Sequence, residues 1–472
     1  MGTWVSSTRV AVRWLNRAQN VSILTWCEAT TGACVQKHRI SSGAWLIKQG
    51  ERPLFTSDGG TFFLTVPTKQ GARGEFQHLA TFRPQSPGSQ HTCRFITSGN
   101  WDVTSLVAYD EESQQIYFQS TEESPRTRHL YSADTTSSFQ RRCITCGLVP
   151  NCTYSDIQFS PSLAHFVLHC QGFGVPTHTV HRTTEPRDYY QLEGNEILRE
   201  ALGNKQMPVT EFHTVRVDTY ELPLKLSMPL GYSQQLRPLL LIVDGEPGGQ
   251  LVDDRFSLDW EAVMAASLGT VVARLDGRGS GYQGLRLQHQ VRRRLGSLEV
   301  KDQLAAAEVL LNLEFVDQRR VAVFGKAYGG FLTLKLLAAT DRLFTCGAAV
   351  SPITDFKLYA SAFSERYLGR PAREDGVYTV ASVLGDVEKL RDQRFLLAHG
   401  TADTRIHFQH TAELLRLLMD IEANYTMQVY PDEGHYFRLE KNSKHLQKTI
   451  VGFLQDCFRD KLRQGQWAPG AE

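Results

Sequence analysis

The 472-residue sequence has no apolar run of the roughly 18 residues that a membrane-spanning helix requires. Its opening, Met1-Gly2-Thr3-Trp4, lacks the basic-then-apolar layout of a secretory signal. A dominant charge is lacking too, since 51 Lys and Arg against 50 Asp and Glu leave a formal net charge of +1. No global field therefore favours nucleic acid, an anionic membrane or an acidic substrate. The basic run Arg292-Arg293-Arg294, between Val291 and Leu295, reads as a solvated helix face. The length excludes a single small module and accommodates two or three ordinary domains.

Cysteine, by contrast, is plentiful and unevenly placed. Nine are present, six of them within the first 152 residues: Cys27, Cys34, Cys93, Cys143, Cys146 and Cys152, followed by Cys170, Cys346 and Cys457. Close pairs such as Cys27 with Cys34 suit disulfides across hairpins. N-glycosylation sequons begin at Asn20, Asn151 and Asn424. Both signals favour an oxidising compartment and conflict with the missing leader, so an upstream segment is expected. Cys143-x-x-Cys146 with Cys152 and Cys170 is also a zinc pattern, though the second pair lacks matching spacing.

Residues 1–210 are short β-branched and aromatic runs separated by turns such as Ser57-Asp58-Gly59-Gly60, an all-β pattern. Phe55, Tyr109 and Phe159 recur about 50 residues apart, each just before another apolar run, a period that suits propeller blades. There is room for about four blades, a partial propeller. From 211 to 472 the pattern alternates strands with amphipathic helices, the signature of a doubly wound, mostly parallel sheet. Strands are expected at 238–243, 270–275, 321–324, 346–350, 395–398 and 426–430. Helices are expected at 300–313, 330–339, 411–421 and 443–458.

An α/β-hydrolase displays its nucleophile in Gly-x-Ser-x-Gly, where glycines permit a strained strand-to-helix turn that also admits an oxyanion. Here the string is Gly325-Lys326-Ala327-Tyr328-Gly329, an elbow without its hydroxyl. Asp403, in His399-Gly400-Thr401-Ala402-Asp403, and His435, in Asp432-Glu433-Gly434-His435, come after it in the acid-then-histidine order of that fold. Taken singly these are ordinary turn glycines, a loop carboxylate and a satisfied histidine. Gly279-Ser280-Gly281-Tyr282-Gln283-Gly284 is a literal dinucleotide fingerprint, but the residues after Gly284, with their arginine run, do not read as a helix and then a strand ending in an acid, and no cofactor is expected.

Five ordered motifs change the weighing: residues 276–284, 325–330, Glu365-Arg366-Tyr367, 399–403 and His407-Phe408-Gln409. They resemble the dipeptidyl-peptidase branch of the prolyl oligopeptidase family, peptidase family S9. Residues 18–24, 98–104 and 351–361 extend the likeness, to an inactive member of that branch, over nearly the whole chain. The resemblance implies an α/β-hydrolase domain after a β-propeller and carries the catalytic acid and base onto Asp403 and His435. Active relatives have serine where this chain has Ala327. The tyrosine that donates to the oxyanion is matched by Asp244, whose carboxylate would repel that charge. Tyr359 persists from the substrate pocket, whereas Phe363 and Arg405 depart from it, and the paired glutamates that hold a substrate's amino terminus have no counterpart.

The resemblance further implies disulfides pairing Cys27 with Cys34, Cys143 with Cys146, Cys152 with Cys170 and Cys346 with Cys457, leaving Cys93 free and no metal bound. It implies a glycosylated, dimeric, non-enzymatic subunit of voltage-gated A-type potassium channels. Such a subunit is the extracellular part of a single-pass type II plasma-membrane protein whose anchor is missing here. The competing expectation is a serine-type dipeptidyl peptidase cleaving after Pro or Ala. Loss of the nucleophile alone costs on the order of a million-fold in a serine protease.

Overall fold

The computed structural model describes residues 2–84, 91–137 and 139–466; Met1 of the opening lies outside them. The chain forms two compact units. The first holds residues 1–204 with 253–256 and 281–289, and the second holds 205–252, 257–280 and 290–472. The long segment of the first unit thus ends at Asn204, and two short later segments join it.

The first unit is a series of four antiparallel four-stranded sheets, each a simple meander. Their strands are Gly2–Trp4, Arg9–Leu15, Val21–Glu28 and Cys34–Ser41; Leu54–Phe55, Phe62–Lys69, Glu75–Pro84 and His91–Phe95; Val103–Asp110, Gln115–Ser120, His129–Asp134 and Arg141–Cys143; and Ser155–Phe159, His165–Cys170, Thr177–Arg182 and Tyr189–Glu193. Successive side chains on a strand point to opposite faces, so a sheet with neighbours on both sides must be apolar on both. In the second sheet Phe62 and Leu64 pack with Leu24 and Trp26 of the first, while Phe63 packs with Ile116 and Phe118 of the third. In the third, Tyr117 turns instead toward Phe166 and Leu168 of the fourth.

The 50-residue period has a structural cause here. Phe55, Tyr109 and Phe159 lie on the first strand of their sheets and contact the sheet before: Phe55 meets Trp26 at 6.3 Å, Tyr109 meets Phe63 at 4.5 Å, and Phe159 meets Tyr117 at 4.7 Å between ring centroids.

The second unit is one eight-stranded sheet. Its strands are β1 Val209–Val217, β2 Tyr220–Met228, β3 Arg237–Val243, β4 Val271–Leu275, β5 Val316–Lys326, β6 Cys346–Val350, β7 Phe395–Gly400 and β8 Tyr425–Tyr430. The order is β1-β2-β4-β3-β5-β6-β7-β8. β2 runs antiparallel to β1 and β4, and the remaining pairs are parallel. Leu239, Leu240 and Leu241 are all buried, as expected of a parallel strand covered on both faces. The helices that accompany the sheet include α1 Trp260–Ala266, α2 Leu298–Leu311, α3 Tyr328–Ala339, α4 Gln409–Asp420 and α5 Glu440–Gln466.

The structure joins Cys27 to Cys34, Cys143 to Cys146, Cys152 to Cys170 and Cys346 to Cys457, with Cα separations of 4.0, 5.7, 5.4 and 6.4 Å. Cys27 and Cys34 face each other across a hairpin, and Cys346 on β6 reaches the buried Cys457 on α5. Cys93 is free and exposed.

The arginine run departs from the sequence reading. Arg292, Arg293 and Arg294 are exposed but lie on a turn, not a helix, because Arg293 takes a left-handed φ of 56° and pairs with Glu374. The fingerprint glycines close a loop: Gly279 has a φ of 102°, and a Cβ there would come within 2.8 Å of Val291.

Candidate functional site

β5 ends at Lys326 and α3 begins at Tyr328, so Ala327 alone makes the turn, with φ 56° and ψ −113°. Alanine rarely occupies that region, and its strain is tolerated only where surroundings over-determine the backbone. Here they do. Ala327 N–H donates to Val350 O at 2.9 Å, and its carbonyl accepts from Phe331 N–H at 3.1 Å and Ile353 N–H at 3.3 Å. The flanking glycines are needed for space: a Cβ at Gly325 would overlap the Gly329 carbonyl, and one at Gly329 would overlap the carbonyl of Val243. The helix start is thereby pressed against the end of β3, beside Asp244.

Asp403, on the loop after β7, is 1% exposed. Its Oδ1 accepts the backbone N–H groups of Arg405 and Ile406 at 2.9 and 2.8 Å, and its Oδ2 accepts Nδ1–H of His435 at 2.8 Å. Burial alone would raise this carboxyl, but hydrogen bonds from His399, His435 and the Ile406 amide outweigh it and hold it well below the usual range. With Nδ1 donating, Nε2 of His435 is the ring's acceptor, the tautomer a general base needs. Lys326, the residue before Ala327, donates from Nζ to the His435 carbonyl at 2.9 Å, tying the histidine loop to the elbow.

Asp244 follows the end of β3, beside Gly329 at the start of α3. Burial, with the nearby Glu246 charge, pushes its carboxyl up to about 6. At neutral pH it is mainly a carboxylate, an acceptor rather than a donor. Of the pocket positions, Tyr359 packs edge-on against Phe363 at 5.0 Å, and Phe363 against Tyr367 at 4.8 Å, a continuous aromatic wall. Arg405 donates to the Tyr436 hydroxyl at 2.8 Å, while Lys326 lies 4.9 Å from that ring's centre.

Behind the elbow sits a pair that sequence reasoning missed. Tyr328 O–H donates to Glu299 Oε1 of α2 at 2.6 Å, and Gly296 N–H donates to its Oε2 at 3.1 Å. Burial pushes the Glu299 carboxyl up to about 7. Tyr328 lay inside the motif, but nothing in the sequence marked α2 as its partner. Of the sequons, Asn151 and Asn424 are exposed, whereas half-buried Asn20 accepts from Asn16 Nδ2 at 2.7 Å.

An elbow between β5 and α3, an acid after β7 and a histidine after β8 define an α/β-hydrolase of the serine-peptidase type. Known proteins share this arrangement. The Dipeptidyl peptidase IV (DPP IV) N-terminal region matches residues 1–177, and the Prolyl oligopeptidase family matches residues 256–461. The chain is 49% identical over 464 residues to inactive dipeptidyl peptidase 10 of Mus musculus, covering 98% of this chain and 58% of that protein. It is 33% identical over 470 residues to dipeptidyl peptidase 4 of Bos taurus, covering 97% and 60%. The crystal structure of Porphyromonas gingivalis dipeptidyl peptidase 4 superimposes with a TM-score of 0.85 at 29% identity, covering 95% of this chain and 62% of that one.

The chain belongs to the prolyl oligopeptidase family, in the dipeptidyl-peptidase branch that includes inactive members. It spans 58% of the length of the inactive relative it matches.

Proposed function

We propose that this chain is part of a non-catalytic dipeptidyl-peptidase-like protein in which Ala327 fills the nucleophile position. The observation that carries the reading is the hydrogen-bonded Asp403–His435 pair, tied through Lys326 to an elbow that offers a methyl group and no oxygen. A proton acceptor without an attacking atom cannot form an acyl-enzyme. Asp244 opposes the oxyanion as well. The test is release of chromophore from Xaa-Pro dipeptide anilides. No turnover above buffer is expected, and turnover abolished by His435→Ala would overturn the reading in favour of a serine dipeptidyl peptidase.

For the whole protein, the proposed role is an auxiliary subunit of voltage-gated A-type potassium channels, dimeric and glycosylated at Asn20, Asn151 and Asn424. Its place is the plasma membrane, with this chain on the extracellular side. The resemblance to the inactive branch, the four disulfides and the three sequons support it. Co-expression of the full-length protein with such a channel should change the rate of inactivation or recovery; unchanged currents at matched surface expression would refute the role. Glycosidase digestion of protein made in secretory cells should show one mass step lost for each Asn→Gln change at the three sites.

A further inference from the structure

The third sheet of the first unit ends on the strand Arg141–Cys143, which runs directly into the turn Cys143-Ile144-Thr145-Cys146-Gly147. Gly147 takes a left-handed φ of 68°, and Cys146 N–H donates to Cys143 Sγ at 3.1 Å. The turn is pinned to the neighbouring strand His129–Asp134 without help from the S–S bond. Ile144 N–H donates to the Leu130 carbonyl at 2.8 Å, and Thr145 Oγ1 lies 3.0 Å from Leu130 N and 3.1 Å from His129 Nδ1. His129 is 3% exposed, Cys143 half-buried and Cys146 exposed.

A ring nitrogen of His129 and the sulfurs of Cys143 and Cys146 lie within 4.8 Å of one another. Among the described residues no other group of three such ligands comes that close. Zinc, bound at about 2.3 Å by sulfur and about 2.0–2.1 Å by imidazole, wants its ligand atoms at the corners of a tetrahedron. Parting the two sulfurs, with the backbone held in place, supplies two of those corners and His129 a third.

We propose that the Cys143–Cys146 disulfide and a zinc site are alternative states of this turn, interchanged by a dithiol reductant. In the reductive step the reductant's two thiols are oxidised to its own disulfide, the Cys143–Cys146 bond breaks, and each sulfur takes up one hydrogen. Zinc then binds the two thiolates and His129, releasing the two thiol protons to solvent, and water fills the fourth position on the exposed side of Cys146. Two thiolates and an imidazole favour zinc over the hard cations that prefer oxygen. Glu123 Oε2 lies 2.9 Å from His129 Nε2, and the Thr145 hydroxyl faces Nδ1. Whichever nitrogen binds, the other keeps a partner that orients the ring.

The test uses cobalt(II) as a spectroscopic probe for zinc. Chain treated with a dithiol and freed of it should develop a thiolate-to-cobalt charge-transfer band that saturates at one metal per chain, is bleached by zinc, and is absent from the oxidised protein. Cys143→Ser with Cys146→Ser, which keeps the other three disulfide pairs, should lose the band. His129→Gln removes a ligand and should weaken cobalt binding by at least the roughly 10–100-fold that loss of an outer partner costs. The proposal is overturned by a reduced wild-type chain without the band, by the band persisting in the double serine variant, or by unchanged affinity in His129→Gln. The last outcome would mean two unconstrained thiolates rather than a folded site.

Discussion

His435 donates its Nδ1 proton to Asp403 at 2.8 Å while its backbone carbonyl is held by Lys326, the neighbour of Ala327. The Asp403–His435 pair is thus tied to a turn whose residue 327 carries no oxygen. On the proposed reading, Ala327→Ser returns only the hydroxyl and leaves a carboxylate, Asp244, at the oxyanion position. Anilide hydrolysis by that single variant should stay at background. Because one oxyanion donor is worth about 10²–10³ in kcat, Ala327→Ser combined with Asp244→Tyr should exceed it by roughly a hundredfold or more. Equal activity of the two variants would show that Asp244 is not an oxyanion position.

Glu299 sets a pH dependence. Its carboxyl, usual near 4.5, is pushed up to about 7 in the folded chain, so the native state holds a proton that the unfolded state has released. Between those values stability therefore falls as pH rises, by on the order of 3 kcal/mol for this group. Asp403 acts in the opposite sense, its contribution being lost only in strong acid. Buried His78 and His410, both held down to about 4, act against it below about pH 6.5, so the readout is the difference between chains: relative to the wild type, Glu299→Gln should gain thermal stability as pH rises from 5.5 to 7.5. An unchanged slope in the variant would place the titration elsewhere.

The elbow glycines are space requirements. Gly329→Ala must displace the end of β3, whose Val243 carbonyl occupies the Cβ position, and should cost several kcal/mol, the scale of severe overpacking. Gly452, on α5 with nothing within 4 Å of its would-be Cβ, is the matched control. Gly452→Ala should stabilise by about 0.5–1 kcal/mol through helix propensity. Denaturant midpoints measure both.

Cys346 and Cys457 close the longest covalent loop in the chain, 111 residues apart in sequence. Both are buried in the apolar layer formed by β6, α5 and their neighbours. Replacing both with alanine should lower stability by about 3–5 kcal/mol under oxidising conditions. A chain equally stable with and without this bridge would contradict its structural role.

The parallel strands were legible because burial on both faces forces continuous apolar runs. β3, β6 and β8 therefore sit within a residue or so of their expected limits. The β1–β2 hairpin was missed although Leu222, Leu224 and Leu226 alternate inward, since Pro223 interrupts an otherwise plain strand pattern. The arginine run misled because exposure alone does not distinguish a helix face from a turn, and the left-handed backbone at Arg293 is a tertiary outcome. Glycine spacing and the order of acid and histidine disclosed the elbow and its partners. The Glu299–Tyr328 pair and the approach of His129 to Cys143 and Cys146 were not legible, for each joins segments that only the folded sheets bring together.

Ala327 keeps a left-handed backbone that costs about 1–3 kcal/mol in a residue with a side chain. In a working hydrolase, selection for turnover would hold such a conformation against drift. Here it is held by the bonds Ala327 makes with Val350, Phe331 and Ile353. Glycine at position 327 would take the same φ with little of that cost.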